Sequence, residues 1–522
     1  MATPAMEKTT WRSRWRIHDE CLTLPYFLGL LAIRTERSLP PLPPAERSLR
    51  DKLCSGIIEY GILGLLVFSP LPAASVHEWS ILLIELTTLL LVAAYVLMKH
   101  KPPVNQSLSR SLRGPKILFI GFFLFLVVQI IPLPASLVRI LSPASHRFRA
   151  LYASGPGEPG FMSFSIVPSY TFQEALELLS YFLIGLLVLR TITHRRQILR
   201  LVSVLLGMGV FQAFYGLFEL SSKSPRLLFY KKIYGLEDVT GTFVNRNHLS
   251  GYLEMVIALA LGLIISRIGV FSFSRLSRRE KLLRLSEKGL SMNILFGLGV
   301  VLMAMAIIFS HSRSGTVVLV LEFLLFLGLV GLFSEFSSDY RKRIRTFLRA
   351  LFFLIIILSV GLGIDATLKR FALDDLLEER RPMYWAHAVR MFRQYPLLGT
   401  GLGTFNALAP PFEGPAGPVS IGHAHNDYLE YASELGASGF ALLFGGILSL
   451  TIISWRVWRT RRHPEVKGLA LGGIVSLTGI LLHSLTDFNL HIPANMLLFS
   501  VVLSVTLVTV FYRKETAAQE RR

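Results

Sequence analysis

A polar stretch in this sequence reads Gly422-His423-Ala424-His425-Asn426-Asp427-Tyr428-Leu429-Glu430, and Glu434-Leu435-Gly436-Ala437-Ser438-Gly439-Phe440 follows it. It is the densest part of residues 374–440, the longest polar interruption in a hydrophobic chain. Titratable side chains are costly in lipid, so a group of them collected here is expected to serve something other than packing. The hydrophobic sequence before and after this stretch predicts membrane helices. The stretch itself predicts a polar site at the water interface.

The composition of the whole chain defines the class of protein. Hydrophobic residues make up 52% and charged residues 17% of the 522 residues, and the mean hydropathy is +0.52. The apolar runs are about 20 residues long, as a helix needs to cross roughly 30 Å of hydrocarbon. We therefore predict an all-α integral membrane protein.

The net charge of +20 points to cytoplasmic loops rather than to nucleic acid. Lys and Arg accumulate in the cytoplasmic loops of multispanning proteins. No basic and aromatic surface domain remains to bind nucleic acid, so no such partner is expected. Cys21 and Cys54 both precede the first convincing span, which argues against a disulfide framework.

Hydrophobic runs predict about twelve spans, with a long external loop between the ninth and the tenth. The predicted spans are 56–73, 80–98, 117–135, 171–189, 198–220, 248–269, 291–310, 315–333, 347–364, 431–455, 469–486 and 492–512. The chain then divides into a basic tail at 1–55, spans one to nine within 56–365, an external loop with an amphipathic surface helix at 366–430, spans ten to twelve within 431–512 and a tail at 513–522. Lys- and Arg-rich connections follow every second span, which predicts that both tails are cytoplasmic and that the polar motifs face outward.

Two arginines on the outer side are candidates for holding an anion. Arg313 lies in a turn of only a few residues between two spans, where the alternative is a snorkelling side chain paired with lipid phosphate. Arg381 follows Arg380 at the head of the predicted surface helix, whose first-turn amide groups favour an anion. Trp385 has helical spacing with apolar neighbours and is assigned to packing. The glycine-rich turn at 399–406 lacks the Lys and the strand–helix context of a phosphate loop, so it predicts a tight turn after the surface helix.

The opening stretch crowds histidines and carboxylates together, which suggests either a metal site or a general base. A metal needs three or four converging ligands, and a His-x-His pattern with one acidic residue is a common accident, so no metal is expected. A neutral histidine that takes a proton from a hydroxyl fits the neighbouring arginines better, and His425 is the candidate.

The motifs also form a joint pattern, which lies within roughly residues 240–440. Its parts are His425-Asn426 followed after nine residues by Gly436-Ala437-Ser438-Gly439, then Ser310-His311-Ser312-Arg313-Ser314-Gly315, Arg381 with Trp385 and Pro396-Leu397-Leu398-Gly399-Thr400-Gly401, and Gly241-Thr242-Phe243-Val244-Asn245-Arg246-Asn247-His248. Together they resemble the O-antigen ligase and polymerase family of bacterial membrane glycosyltransferases of the GT-C type.

The resemblance implies transfer of a glycan from undecaprenyl diphosphate to an acceptor hydroxyl, with inversion and without a metal or cofactor. It implies that His425, Arg313 and Arg381 are catalytic and that the site faces the periplasm from the bacterial inner membrane. It implies substrate contacts for Asn426 and Arg380, and for Asn245, Asn247 and His248, although capping of the next helix is an equal alternative for these last three. Asp487, Asn489 and His491, in a short outer turn, are possible supporting groups.

The sequence leaves the acceptor open. Lipid A core is favoured, which would make the protein a ligase, while a second glycan would make it a polymerase and a protein hydroxyl an oligosaccharyltransferase. A transporter of lipid-linked glycans is the alternative from another class, since about twelve spans is a common transporter size. The mid-span regions are nearly free of charge apart from Glu85, Glu254 and Glu322, which favours surface chemistry.

Overall fold

The computed structural model describes residues 48–103, 105–152, 160–222, 226–233, 235–268, 288–333, 335–372, 380–409, 412–414, 417–419 and 422–512. Most of the predicted N-terminal tail, the basic loop at 269–287, residues 373–379 of the external loop and the C-terminal tail at 513–522 lie outside the described residues.

Helices account for most of the described chain. They are α1 (Leu49–Phe68), α2 (Glu78–Leu97), α3 (Gln106–Ser111), α4 (Arg113–Ile130), α5 (Ala135–Leu141), α6 (Pro143–Leu151), α7 (Pro168–Thr191), α8 (Arg195–Leu220), α9 (Arg246–Ile268), α10 (Lys288–Phe309), α11 (Arg313–Leu329), α12 (Ser338–Leu362), α13 (Asp365–Lys369), α14 (Arg381–Gln394), α15 (Phe405–Leu408), α16 (Asp427–Thr460), α17 (Pro464–His483) and α18 (Pro493–Phe511). Short 3₁₀ turns lie at Ala73–Ser75, Val330–Leu332 and Asn489–His491.

The strands of the described segments form short antiparallel pairs in the connections. They are β1 (Leu133–Pro134) with β2 (Phe161–Met162), β3 (Arg226–Leu227) with β4 (Tyr230–Lys231), and β5 (Phe412–Gly414) with β6 (Gly417–Val419). In the registers, Leu133 pairs with Met162, Leu227 with Tyr230, and Glu413 with Pro418.

The predicted all-α membrane fold is confirmed. Among the described residues, 11 helices are long and apolar enough to cross a membrane, namely α2, α4, α7 to α12 and α16 to α18. The first predicted span coincides with α1, which is also 20 residues long. It is not one of the 11 because Arg50, Asp51, Lys52 and Glu59 make it more highly charged.

The centre of the molecule is formed by α9, α17 and α18. The whole span of α9 is buried, and so is nearly all of α18. A Cβ atom at Gly262 of α9 would lie only 2.6 Å from the Cα atom of Gly472 of α17, so the two backbones are in direct contact. Small residues let membrane helices approach in this way. The close contact holds α9 and α17 together, and polar residues lie at one end of this pair.

Helix α16 is broken near its N-terminal end, at Gly436, where φ is 61° and ψ is −177°. The turn after α14 supplies hydrogen bonds on both sides of the break: Thr400 N donates to Ser433 O (3.2 Å), Gly401 N to Glu434 O (2.9 Å), Ala437 N to Pro396 O (2.8 Å) and Ser438 N to Leu397 O (3.2 Å). The predicted glycine turn therefore attaches the surface helix α14 to the start of α16.

Candidate active site

Asp487 is the centre of the site, although the sequence indicated it only as a possible supporting group. It is fully buried in the turn between α17 and α18. Its Oδ1 lies 3.1 Å from His425 Nδ1 and 3.7 Å from His248 Nε2. Its Oδ2 lies 3.3 Å from Arg381 Nη2 and accepts a hydrogen bond from the Asn247 side chain. One carboxylate thus gathers four of the residues singled out from the sequence.

Each partner of Asp487 stands at the end of a helix. Asn247 and His248 belong to the first turn of α9, and Arg381 is the first residue of α14. His425 lies two residues before α16. Since the helix ends converge at one side of the molecule, residues far apart in the chain meet there.

The backbone and ring of His425 are held on several sides. Its φ of +50° lies in the left-handed region, which is uncommon for a residue with a side chain. Trp385 Nε1 donates to its carbonyl oxygen at 3.3 Å, and the Tyr384 ring stacks on its imidazole at 5.9 Å between centroids. Nδ1 faces Asp487, so Nε2 is the ring nitrogen left to take a proton from a substrate.

The neighbouring Asn426 caps α16. Its Oδ1 accepts from Leu429 N at 3.0 Å, and its Nδ2 donates to Leu485 O at 2.7 Å. The second bond ties the opening stretch to the turn that carries Asp487. Its side chain is therefore engaged in positioning His425.

Asp487 is ionised at neutral pH. Burial by itself would raise the pKa of this carboxyl, but hydrogen bonds from His248 and His425, together with their charge, lower the pKa well below its ordinary value of 3.8. An ionised carboxylate fixes Nδ1 of His425 as the protonated nitrogen and stabilises the imidazolium that forms when Nε2 accepts a proton. The pair has the geometry of a histidine held in one orientation by a carboxylate.

Arg313 lies on the adjoining turn between α10 and α11. Thr486 Oγ1 donates to Ser314 Oγ at 2.8 Å, which joins this turn to the residue before Asp487. The Arg313 guanidinium is half-buried, and its Nη1 donates to Arg370 O at 3.3 Å. A second carboxylate, Asp238, supports the turn through His311 Nδ1 at 2.9 Å.

The other predicted contact residues differ in their surroundings. Asn245 Oδ1 accepts from Asn247 N at 2.8 Å at the start of α9, which is the capping role given above as the alternative. Arg380 is exposed directly before α14.

A second His–carboxylate network adjoins the first. His423 Nδ1 lies 2.7 Å from Glu430 Oε1, and His491 Nδ1 lies 2.7 Å from Asp427 Oδ1. Burial by itself would lower the pKa of His491, but the charge of Glu430 and the contact with Asp427 raise it to about 10. The sequence does contain a sign of both His–carboxylate networks. Asp487, Asn489 and His491 alternate in a short turn between two apolar spans, where packing alone does not require polar side chains.

The described residues contain no group of three or more His, Cys, Asp and Glu side chains arranged to hold a metal ion. The cationic groups at the site are instead arginines and imidazoles.

Fold and site together define an integral membrane protein with a polar His–Asp–Arg centre at one end of its helices. Residues 298–444 match the family model described as O-antigen ligase. This confirms the resemblance of the motifs to the O-antigen ligase family and supports ligase- or polymerase-type glycan transfer in general. The matched segment includes Arg313, Arg381 and His425 and ends before Asp487. A comparison with curated proteins gave no match.

Proposed function

We propose that the protein transfers a glycan from undecaprenyl diphosphate to an acceptor hydroxyl at the outer face of the bacterial inner membrane, with lipid A core as the favoured acceptor. The observation that supports this most is the convergence of His425 and Arg381 on the buried carboxylate of Asp487. This arrangement places a base, His425, beside a cation, Arg381. The base would face the acceptor hydroxyl, and the cation would face the anionic leaving group.

In the proposed mechanism, Nε2 of His425 takes the proton of the acceptor hydroxyl as its oxygen attacks the anomeric carbon. The bond from that carbon to the diphosphate oxygen breaks, and its electron pair stays with the diphosphate. A single displacement inverts the configuration of the sugar carbon. Arg313 and Arg381 would stabilise the charge that the diphosphate gains, an effect that is strong where water is excluded. His425 then releases its proton to water.

The test is a reconstituted assay with a lipid-linked glycan donor and, separately, lipid A core or a second lipid-linked glycan as acceptor. Wild type should release undecaprenyl diphosphate and form product, while His425→Ala should form none. His463→Ala is the matched control, because His463 lies before α17 at the opposite end of the helices. A chelator should leave the rate unchanged.

Product length distinguishes the acceptors. A single addition to lipid A core means a ligase, and a ladder on the carrier means a polymerase. If folded protein forms neither product, protein hydroxyls are the acceptors to test next. Binding of the carrier without release of undecaprenyl diphosphate, together with normal glycan assembly in His425→Ala cells, would instead establish a transporter.

A further inference from the structure

His423 has the same construction as the proposed base but is not used by that mechanism. Its Nδ1 contacts the buried carboxylate of Glu430 at 2.7 Å, as Nδ1 of His425 contacts Asp487 at 3.1 Å. The side chain of His423 is 37% exposed, against 27% for His425. Both imidazoles therefore commit Nδ1 to a buried carboxylate and leave Nε2 for a ligand.

One phenylalanine joins the two imidazoles into a single surface. The His423 ring stacks on Phe488 at 4.0 Å and 12°, and the His425 ring meets Phe488 at 4.8 Å and 83°. His248 contacts the same ring at 4.5 Å. His423 and the proposed base His425 thus contact the same aromatic ring, so one substrate bound beside Phe488 could contact both imidazoles.

Several titratable side chains surround the imidazole of His423. Glu430 faces it directly, and His491 lies at 5.6 Å between ring centroids. Asp427 is held by His491, whose raised pKa keeps that imidazole protonated and offsets one carboxylate. Glu174 of α7 interacts with the same cluster. His248 and His425 also contact Phe488, and each lies close to Asp487.

We infer that His423 is a further substrate-binding residue, which in its imidazolium form donates Nε2–H to an anionic oxygen of the diphosphate. This inference rests on the proposed function, since it assumes a diphosphate-linked donor. The contact is a charge-assisted hydrogen bond, and such bonds are short and strong. Because only the protonated imidazole offers this charge, we expect the diphosphate to bind more tightly at low pH than at high pH.

The probe is farnesyl diphosphate, a short soluble isoprenoid diphosphate, with farnesol as the uncharged control. Its Kd is measured on purified full-length protein between pH 5.5 and pH 8.5. Wild type should bind the diphosphate more tightly at low pH. His423→Gln should bind about tenfold to a hundredfold more weakly at low pH, the scale of one charged hydrogen bond, and should lose most of the pH dependence.

Two further variants keep the test decisive. His423→Lys retains a positive charge above pH 8 and should bind tightly at that pH, which a merely structural role of His423 does not explain. His77→Gln is the matched control, because His77 also packs against an aromatic ring, that of Tyr230 at 4.9 Å between centroids. It should bind as wild type does.

Other outcomes overturn the inference. If His423→Gln keeps the wild-type curve, or if the pH dependence disappears in His425→Gln instead, His423 does not contact the diphosphate. If wild type binds the diphosphate no more tightly than farnesol, the proposed diphosphate-linked donor is incorrect. The proposed contact of His423 with the diphosphate is then incorrect as well. The first result leaves the proposed function standing, and the second does not.

Discussion

Asp487 converts residues from separate parts of the chain into one acid–base site. His425 and Asp487 are 62 positions apart, and Arg381 and Asp487 are 106 apart. Their meeting depends on the close packing of α9 and α17 and on the attachment of α14 to α16. A buried carboxylate that holds a histidine in one tautomer also makes that histidine a stronger base.

We predict that Asp487→Asn lowers the turnover number by about a thousandfold or more with little change in KM, because an amide no longer selects the Nδ1–H tautomer of His425. Steady-state kinetics with the lipid-linked donor measure this. The matched control is Asp238→Asn, since Asp238 likewise bridges a histidine and an arginine, His311 at 2.9 Å and Arg246 at 2.7 Å. A loss of the same size in both variants would mean that Asp487 acts only through folding.

Replacing either proposed diphosphate-binding arginine should slow the reaction by about a hundredfold or more, the scale for one preorganised charge contact. Arg313→Ala and Arg381→Ala are the variants, measured by release of undecaprenyl diphosphate. Arg313→Lys should recover only part of the rate, because Lys cannot make the paired hydrogen bonds of a guanidinium. Arg390→Ala, exposed on the same helix as Arg381, should retain activity. A lysine variant with the full wild-type rate would argue against bidentate binding.

His491 should make the folded protein sensitive to alkaline pH. Its pKa is about 10 in the folded state against 6.5 for the free side chain, so its stabilising contribution is complete below pH 6.5 and is lost as the pH rises towards 10. The thermal unfolding midpoint of the detergent-solubilised protein should therefore decrease across that interval. In His491→Gln the midpoint should be lower at pH 6.5 and should change less between pH 6.5 and 10. Equal slopes for both proteins would exclude His491 as the group responsible.

The sequence indicated the candidate site residues more readily than the carboxylates that contact them. His425, Arg313 and Arg381 stand in motifs of fixed spacing, so local pattern indicates them. Asp487 stands in no such motif, and only tertiary contacts show that it faces His425 rather than solvent. Glu430 stands among the crowded histidines and carboxylates of the polar stretch, but only the tertiary contacts show that it pairs with His423.

At the scale of elements, the break in α16 explains why the motif requires glycine. Gly436 adopts φ 61°, and a Cβ there would overlap the backbone of Leu397. Gly399, on the opposing turn, has φ 69° and lies directly against the backbone of Glu434. The two backbones can exchange hydrogen bonds only because neither position carries a side chain.

We predict that Gly436→Ala abolishes most activity and lowers the thermal unfolding midpoint. Alanine strains a left-handed backbone and would push the turn after α14, and with it Arg381, away from α16. Gly445→Ala in the same helix is the control, since its Cβ would meet only Leu118 at an ordinary 3.7 Å. That variant should be as stable as wild type or slightly more so. Full activity in Gly436→Ala would show that the break is not needed to position α14.

The elements themselves were largely predictable, while their ends were not. Runs of apolar residues of membrane length give the spans directly, because lipid forces every backbone group into a helix. Helix α16 nevertheless begins at Asp427, before the predicted start at 431, because the side chain of Asn426 caps it. When only hydropathy is considered, polar residues in the first turn of a helix are assigned to the preceding loop. The glycine turn was predicted, but its pairing with the break in α16 depends on two distant segments.

At the scale of the whole molecule, the arginine-rich connection between α16 and α17 and the candidate site lie at opposite ends of the helices. The site lies at the start of α9 and α16 and the end of α17, whereas Arg462 lies between the end of α16 and the start of α17. Phe229, 87% exposed in the β3–β4 hairpin before α9, lies at the same end as the site. Because Lys and Arg accumulate in cytoplasmic loops, the end with Phe229 is predicted to face the periplasm.

Single cysteines test this orientation in a background in which Cys21 and Cys54, the 2 native cysteines, are replaced. A membrane-impermeant maleimide should label Phe229→Cys in cells with a permeable outer membrane and an intact inner membrane. It should label Arg462→Cys only after the inner membrane is disrupted. Both positions are exposed, so a difference between them reports sidedness rather than burial. The reverse pattern would put His425 and Asp487 in the cytoplasm, where a donor displayed on the outer leaflet cannot reach them, and the proposed reaction would have to be abandoned along with the orientation.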